Sequence, residues 1–433
     1  MLNGLFVFVV VTSILLAALA GRMAELTQAV LESAGAAVTL AIGLIGVMAF
    51  FLGLMRVAED GGLLRRVARA IGPAMQRLFP TVPVDHPAMS AMILNIASNM
   101  LGLGNAATPF GIRAIEELDK LNGRKGTATN AMVLFLAINT SSVTLLPTGV
   151  IALRAATGSA DPAGVVPTTL FATICSTTVA IIAAKFFQRF SPSPTVAGVP
   201  DAEAFSAEGS DGDPTLGQAP ASEAGALEAE EGHAYPAWIS LTVLGTIVAI
   251  IPLTILYGRT IAPWIIPGLM VGLLGFGVAR RVRVYESFVE GAKEGFYVAL
   301  RIIPYLVAIL VAVGMFRASG AMEMLNGLLG AVTGLLGLPA DALPMALLRP
   351  LSGSGAYGVL ASIIENPAIG PDSYTGYLVS TIQGSTETTF YVIAVYFGAV
   401  QVRRIRHALA AGITADLAGI AGAVLICAIL FGG

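Results

Sequence analysis

Two stretches of this chain carry residues able to do chemistry inside otherwise apolar surroundings. The first is Ile138-Asn139-Thr140-Ser141-Ser142-Val143-Thr144 and the second is Ile382-Gln383-Gly384-Ser385-Thr386-Glu387-Thr388. Each sets an amide and several hydroxyls in the middle of an apolar run, where polar groups without partners cost several kcal/mol in a membrane. Glu387 stands where the first copy has Val143. With Gln383, Ser385, Thr386 and Thr388 around it, that carboxylate is suited to bind a sodium ion, carry a coupling proton or grip a ribose-like polyol. The alternative is a structural role, as the buried partner of Arg349 or Arg301. Asn139, Thr140, Ser141, Ser142 and Thr144 form the uncharged counterpart, and hydroxyls in membrane helices also serve simply to bond neighbouring helices.

Other groups join these as candidates for contact with a solute. Asn105 lies in Gly102-Leu103-Gly104-Asn105, and Ser352 and Ser354 lie in Arg349-Pro350-Leu351-Ser352-Gly353-Ser354-Gly355. The glycines suit hairpin tips and close backbone approach, or tight helix packing alone. Arg349 is placed either to pair with Glu387 or to meet an anionic group. Hydrolysis and group transfer lack their usual constellation of paired nucleophile, base and acid, so no enzyme activity is expected. Cys175 and Cys427 stand alone in apolar runs, and His86, His233 and His407 lack ligand spacing. No metal or other cofactor is assigned beyond a coupling sodium ion or proton.

The elements that must position these residues are membrane helices. Of 433 residues, 56% are hydrophobic and 12% charged, with a net charge of -3, against roughly 25% charged in a soluble domain. Nine acids and no Lys or Arg fall in residues 191–235; subtracting them from the 27 acids leaves 18 against 24 bases elsewhere. That Pro-, Ser- and Gly-rich stretch reads as a disordered cytoplasmic linker between a first membrane repeat at 1–190 and a second at 236–433. Leu2 to Ala20 lacks a basic leader and reads as a retained span, a cleaved signal peptide being the alternative.

Both halves then follow one order. An amphipathic helix runs into a span (Arg22 to Leu54; Glu286 to Met315), followed by a segment rich in Gly, Asn, Ser and Pro (Pro87 to Ile112; Leu343 to Ile364), the motif helix and a last span (Val165 to Phe187; Ala408 to Phe431). Bases flank Pro87 to Ile112 on both sides, which predicts a re-entrant hairpin; a weakly hydrophobic crossing helix is the alternative. The pair Ala237 to Tyr257 and Ile261 to Val278 opens the second half. Ile138 and Ile382 lie 244 residues apart (382 − 138). Five crossings between matching spans would invert the second half relative to the first. The arginines agree: Arg56, Arg65, Arg66, Arg69 and Arg77 follow the first span, whereas 319–343 has none. The expected fold class is therefore an all-α polytopic membrane protein of two inverted-topology repeats, with re-entrant hairpins and broken transmembrane helices, the pattern of alternating-access transporters.

The run from Asn95 through Asn99 and Gly102-Leu103-Gly104-Asn105-Ala106-Ala107-Thr108-Pro109-Phe110-Gly111 to Asn139-Thr140-Ser141-Ser142 resembles the spore maturation A proteins. The runs Arg349 to Gly355 and Gln383 to Tyr391 resemble the spore maturation B proteins, as though the two were fused. The resemblance implies the nucleoside-recognition, or Gate-domain, group and a bacterial inner-membrane protein that transports or gates a small polar solute, the group's name suggesting one of nucleoside type. A non-transporting scaffold or ligand sensor is the rival reading, and a lipid-acting enzyme is the least supported. Expected partners are the solute and membrane lipids near Arg65, Arg66, Arg403 and Arg404, with no nucleic acid. Gly- and Ala-rich faces permit a homodimer without requiring one.

Overall fold

The structure, a computed structural model, describes residues 2–191, 264–322 and 337–432 with isolated positions between them. Nearly all of the acidic stretch and of Ala237 to Tyr257 lies outside the described residues. The described residues contain α-helices, short 3-10 turns and one isolated bridge, Thr127 to Arg404, which joins the two halves. The fold is that of an all-α polytopic membrane protein. Among the described residues, four helices are long and apolar enough to cross a bilayer: Met23–Asp60, Pro162–Phe190, Val284–Ala318 and Ala408–Phe431.

In chain order, α1 is Leu2–Ala20, α2 Met23–Asp60, α3 Leu63–Leu78, α4 Pro87–Leu101, α5 Gly104–Lys120, α6 Asn130–Thr140, α7 Thr148–Ala156 and α8 Val165–Phe187. The second half has α9 (Trp264–Ala279), α10 (Val284–Ala318), α11 (Leu343–Leu348), α12 (Gly353–Ile364), α13 (Tyr374–Ser385), α14 (Thr389–Ala399) and α15 (Ala408–Phe431). The amphipathic stretches from Arg22 and Glu286 are the first turns of the continuous helices α2 and α10. The arginine-rich loop after α2 is largely the amphipathic helix α3.

The Asn- and Gly-rich segment of the first half is a helical hairpin. Pro87 opens α4 with the His86 ring accepting the Ala88 N–H at 3.1 Å. Gly102 then closes α4 at φ 75°, a left-handed conformation that favours glycine. A Cβ at Gly102 would lie 2.7 Å from the Leu146 carbonyl. In the second half α11 and α12 are separated at Arg349 to Ser352, and Ser352 caps α12 by accepting the Gly355 N–H at 3.0 Å.

Two helix pairs hold the halves together. Gly295 of α10 sits on the Ala49 backbone of α2, Gly291 on Leu52, and Gly314 on Ser33. Residue numbers rise along one helix as they fall along the other, so α2 and α10 run antiparallel. Added Cβ atoms would approach within 2.5 to 2.6 Å of the first two neighbours, so the small residues set the interhelical distance. The last spans pair likewise, with Ser176 Oγ donating to the Ala415 carbonyl at 2.8 Å and Gly422 against Ala172 and Cys175. Thus α8 and α15 are also antiparallel.

Candidate functional site

Both motifs interrupt helices. α6 ends at Thr140 and α7 begins at Thr148; α13 ends at Ser385 and α14 begins at Thr389. Helix ends leave carbonyls without partners, and the hydroxyls of the first motif answer them. Thr140 and Ser141 donate to the Ala137 carbonyl at 2.9 and 2.8 Å, and Ser142 donates to that of Asn139 at 3.1 Å. Ser385 does the same for Ile382 at 2.9 Å, while Thr144 donates to Ser142 at 3.3 Å. These side chains therefore first make the breaks possible.

Each break rests on the preceding helix-turn-helix segment of its own half in the same way. The Leu145 N–H donates to the Met100 carbonyl at 2.9 Å, and the Phe390 N–H to the Pro350 carbonyl at 3.2 Å. The breaks also meet each other: the Glu387 N–H donates to the Thr140 carbonyl at 2.8 Å. Asn139 receives both the Asn99 amide at 3.0 Å and the Tyr396 hydroxyl at 3.2 Å, and Tyr396 in turn accepts from Asn95 at 3.2 Å. Gly384 lies against Thr169, where a Cβ would stand 2.7 Å from the threonine methyl.

The charged part of the site belongs to the second half. Arg349 is only 4% exposed. It donates to the Thr386 carbonyl, to the Thr388 hydroxyl at 3.1 Å, and pairs with Glu387 at 3.7 Å. Glu387 pairs with Arg349 without being buried: its side chain is 56% exposed, because it stands in the break rather than on a packed helix face. The buried carboxylate is Asp416, 2% exposed in α15, whose Oδ2 accepts the Thr389 hydroxyl at 2.7 Å. A lone Asp within Ala408 to Phe431 is the sequence signal for it. Tyr396 gave no comparable signal, being one aromatic in an apolar run.

The remaining candidates fall elsewhere. Ser352 and Ser354 line a cavity of about 230 Å³ with Phe6, Tyr305, Ala308, Ile309 and Gly355, and none of those residues belongs to either motif. Asn105 is in the first turn of α5, and its side chain lies outside the described residues, as does that of Arg301. Around the breaks, Gln383 Oε1, Asn95 Oδ1, Thr169 Oγ1, Arg349 Nε and Asp416 Oδ1 are buried without a hydrogen-bond partner. The site thus has unused hydrogen-bonding capacity of both signs. Among the described residues there is no cluster of His, Cys, Asp and Glu fit to hold a metal ion.

Fold and site together define a multi-pass membrane protein built around two interrupted helices that touch. The chain matches the nucleoside recognition family, Gate, over residues 41–157 and 299–403, and it belongs to that family. It is 47% identical to spore maturation protein B of Bacillus subtilis over 167 residues, 39% of this chain and 93% of the relative. It is 43% identical to spore maturation protein A of the same organism over 187 residues, 43% of this chain and 95% of the relative. The chain is thus similar to two separate proteins joined into one. Inner membrane protein YjiG of Escherichia coli K12 is 31% identical over 90 residues, 21% of this chain and 59% of that relative. No solved structure matches the chain.

Proposed function

We propose that the protein moves a small polar solute, of nucleoside or similar hydroxyl-rich chemistry, across a bacterial inner membrane by alternating access around the two touching breaks. The observation that carries this reading is the contact of the two motifs, Glu387 N–H to Thr140 carbonyl at 2.8 Å, across 247 positions of chain (387 − 140). Breaks in membrane helices expose main-chain groups, and such groups are tolerated where protein or a water-filled path covers them. Here they coincide with an exposed carboxylate, a buried guanidinium and several unsatisfied polar atoms.

On this reading the antiparallel pairs α2/α10 and α8/α15 are the matching spans of two inverted repeats, and the hairpins α4–α5 and α11–α12 are re-entrant. Rocking one half on the other would then open the breaks to alternate faces. The family's name for nucleoside recognition supports the solute class, and YjiG's name supports the inner membrane. The B. subtilis names suggest a role in spore maturation where the host forms spores. Proteoliposomes containing the purified chain should accumulate a labelled nucleoside or related polyol from a panel, and Glu387→Gln should reduce that uptake at least tenfold, or about 1.4 kcal/mol. Liposomes that move no member of the panel, with Glu387→Gln indistinguishable from the parent, would sink the reading.

A further inference from the structure

Asp416 is a carboxyl group in an Ala-, Gly- and Ile-rich span, where an ionised side chain is costly unless a partner compensates it. Its neighbourhood supplies one hydrogen bond and no close counter-ion. Thr389 donates to Oδ2 at 2.7 Å, while Oδ1 is buried with no partner among the described residues. The cation nearby is Arg349, which donates at 3.1 Å to the hydroxyl of Thr388, the residue before Thr389. Its ion pair, however, is with Glu387 at 3.7 Å, and its Nε is buried with no partner.

Among the described residues, the helices packed most closely on α15 bring no second charge to this level. α8 presents Ser176, which bonds the Ala415 carbonyl; α13 and the break after it present Thr386, whose methyl lies against Gly419; α14 presents Thr389. Tyr396 of α14 is turned to Asn139, and α6 contributes no ionisable residue. Arg349 and Asp416 thus hold adjacent residues of the second break, Thr388 and Thr389, and Arg349 also pairs with Glu387, the exposed carboxylate of the same break. An ionised carboxylate only accepts hydrogen bonds, whereas a protonated one holds its own donor.

We propose that Asp416 is a proton-binding site, and that Arg349 exchanges between Glu387 and Asp416 as the proton arrives and leaves. With Arg349 on Glu387, the proton sits on Oδ1 of Asp416. When Glu387 turns to a solute, Arg349 offers its unused Nε to Oδ1, the O–H bond breaks, and the proton passes to water, leaving the Asp416 carboxylate paired with the guanidinium. Charge and protons balance: Arg349 stays cationic, Glu387 stays anionic, and one proton is released per transfer. The link to solute movement rests on the transport reading above; the proton site itself does not.

The test is infrared difference spectroscopy of the full chain in lipid nanodiscs, titrated with acid and base alone as the probe. The expected result is a protonated-carboxyl C=O band that disappears on raising pH, is lost in Asp416→Asn and is retained in Glu387→Gln. Arg349→Gln, which removes the competing cation, should carry the band to higher pH. Should Asp416→Asn fail to fold, Thr389→Val keeps the carboxyl but deletes its hydrogen-bond donor and should shift the band to higher frequency. No protonated-carboxyl band at any pH, a band that survives in Asp416→Asn, or one unmoved by Thr389→Val overturns the proposal. So does loss of the band on adding sodium chloride at constant pH, which would assign the site to sodium. A normal band in protein that transports nothing upholds the proton site while counting against the transport reading.

Discussion

Arg349 and Glu387 form one pair but have different physical weights. Arg349 is almost wholly enclosed and serves a backbone carbonyl and a hydroxyl as well as a carboxylate; Glu387 faces outward from the break. Removing a buried partner leaves desolvated groups behind, whereas removing an exposed one returns them to solvent. Arg349→Ala should therefore lower stability by about 3 kcal/mol, while Glu387→Gln should change it by about 1 kcal/mol or less. Thermal unfolding of the two variants in one detergent checks the contrast. His407, in the turn before α15, makes a second prediction. Burial pushes its imidazole down from 6.5 to about 4. A folded-state value below the unfolded one means that stability is fully present above 6.5 and is lost as pH falls through about 4. The Tm of the parent should drop across that window, and His407→Leu should flatten the drop.

Among elements, the antiparallel seam of α2 and α10 depends on glycines spaced four apart at Gly291 and Gly295. A Cβ on Gly295 would stand 2.6 Å from the Ala49 Cα, and backbone cannot step aside as a flexible side chain can. Gly295→Ala should destabilise the protein by about 1–3 kcal/mol through overpacking. Gly275→Ala in α9, where nothing lies within 4 Å, should leave the midpoint unchanged. Denaturant titration of both variants provides the comparison, and equal effects would show that the seam is not close-packed as described.

For the whole molecule, the halves are also tied by a buried cation in α7, the helix that follows the first break. Arg154, fully buried, donates to the Pro371 carbonyl at 2.6 Å, pairs with Asp372 at 2.9 Å and lies 4.1 Å from the Tyr377 ring centroid. Asp161, in the loop after α7, accepts the Tyr377 hydroxyl at 3.4 Å, and burial raises its carboxyl above the ordinary range. Arg154→Ala removes the centre of this cluster and should cost about 3 kcal/mol. Asp372→Asn should cost less, since that side chain is 38% exposed. If the cluster joins the halves, co-expressed separate halves should copurify and Arg154→Ala should weaken their association.

The sequence alone determined where the helices run, because apolar length, glycine and proline placement and cap residues are local properties. α8 and α15 coincide with the spans expected at Val165 to Phe187 and Ala408 to Phe431, and both motifs do interrupt helices. The spacing of Asn139 and Gln383 also marked the paired breaks. Only tertiary structure decided what those residues touch. Most hydroxyls of the first motif are spent on their own helix ends. Ser352 and Ser354 line a separate cavity, and the enclosed carboxylate is Asp416 rather than Glu387. Burial and pairing depend on which helices approach one another, and the bonds of Arg349 to Thr388 and of Asp416 to Thr389, next to each other in the second break, come from packing that no local pattern encodes.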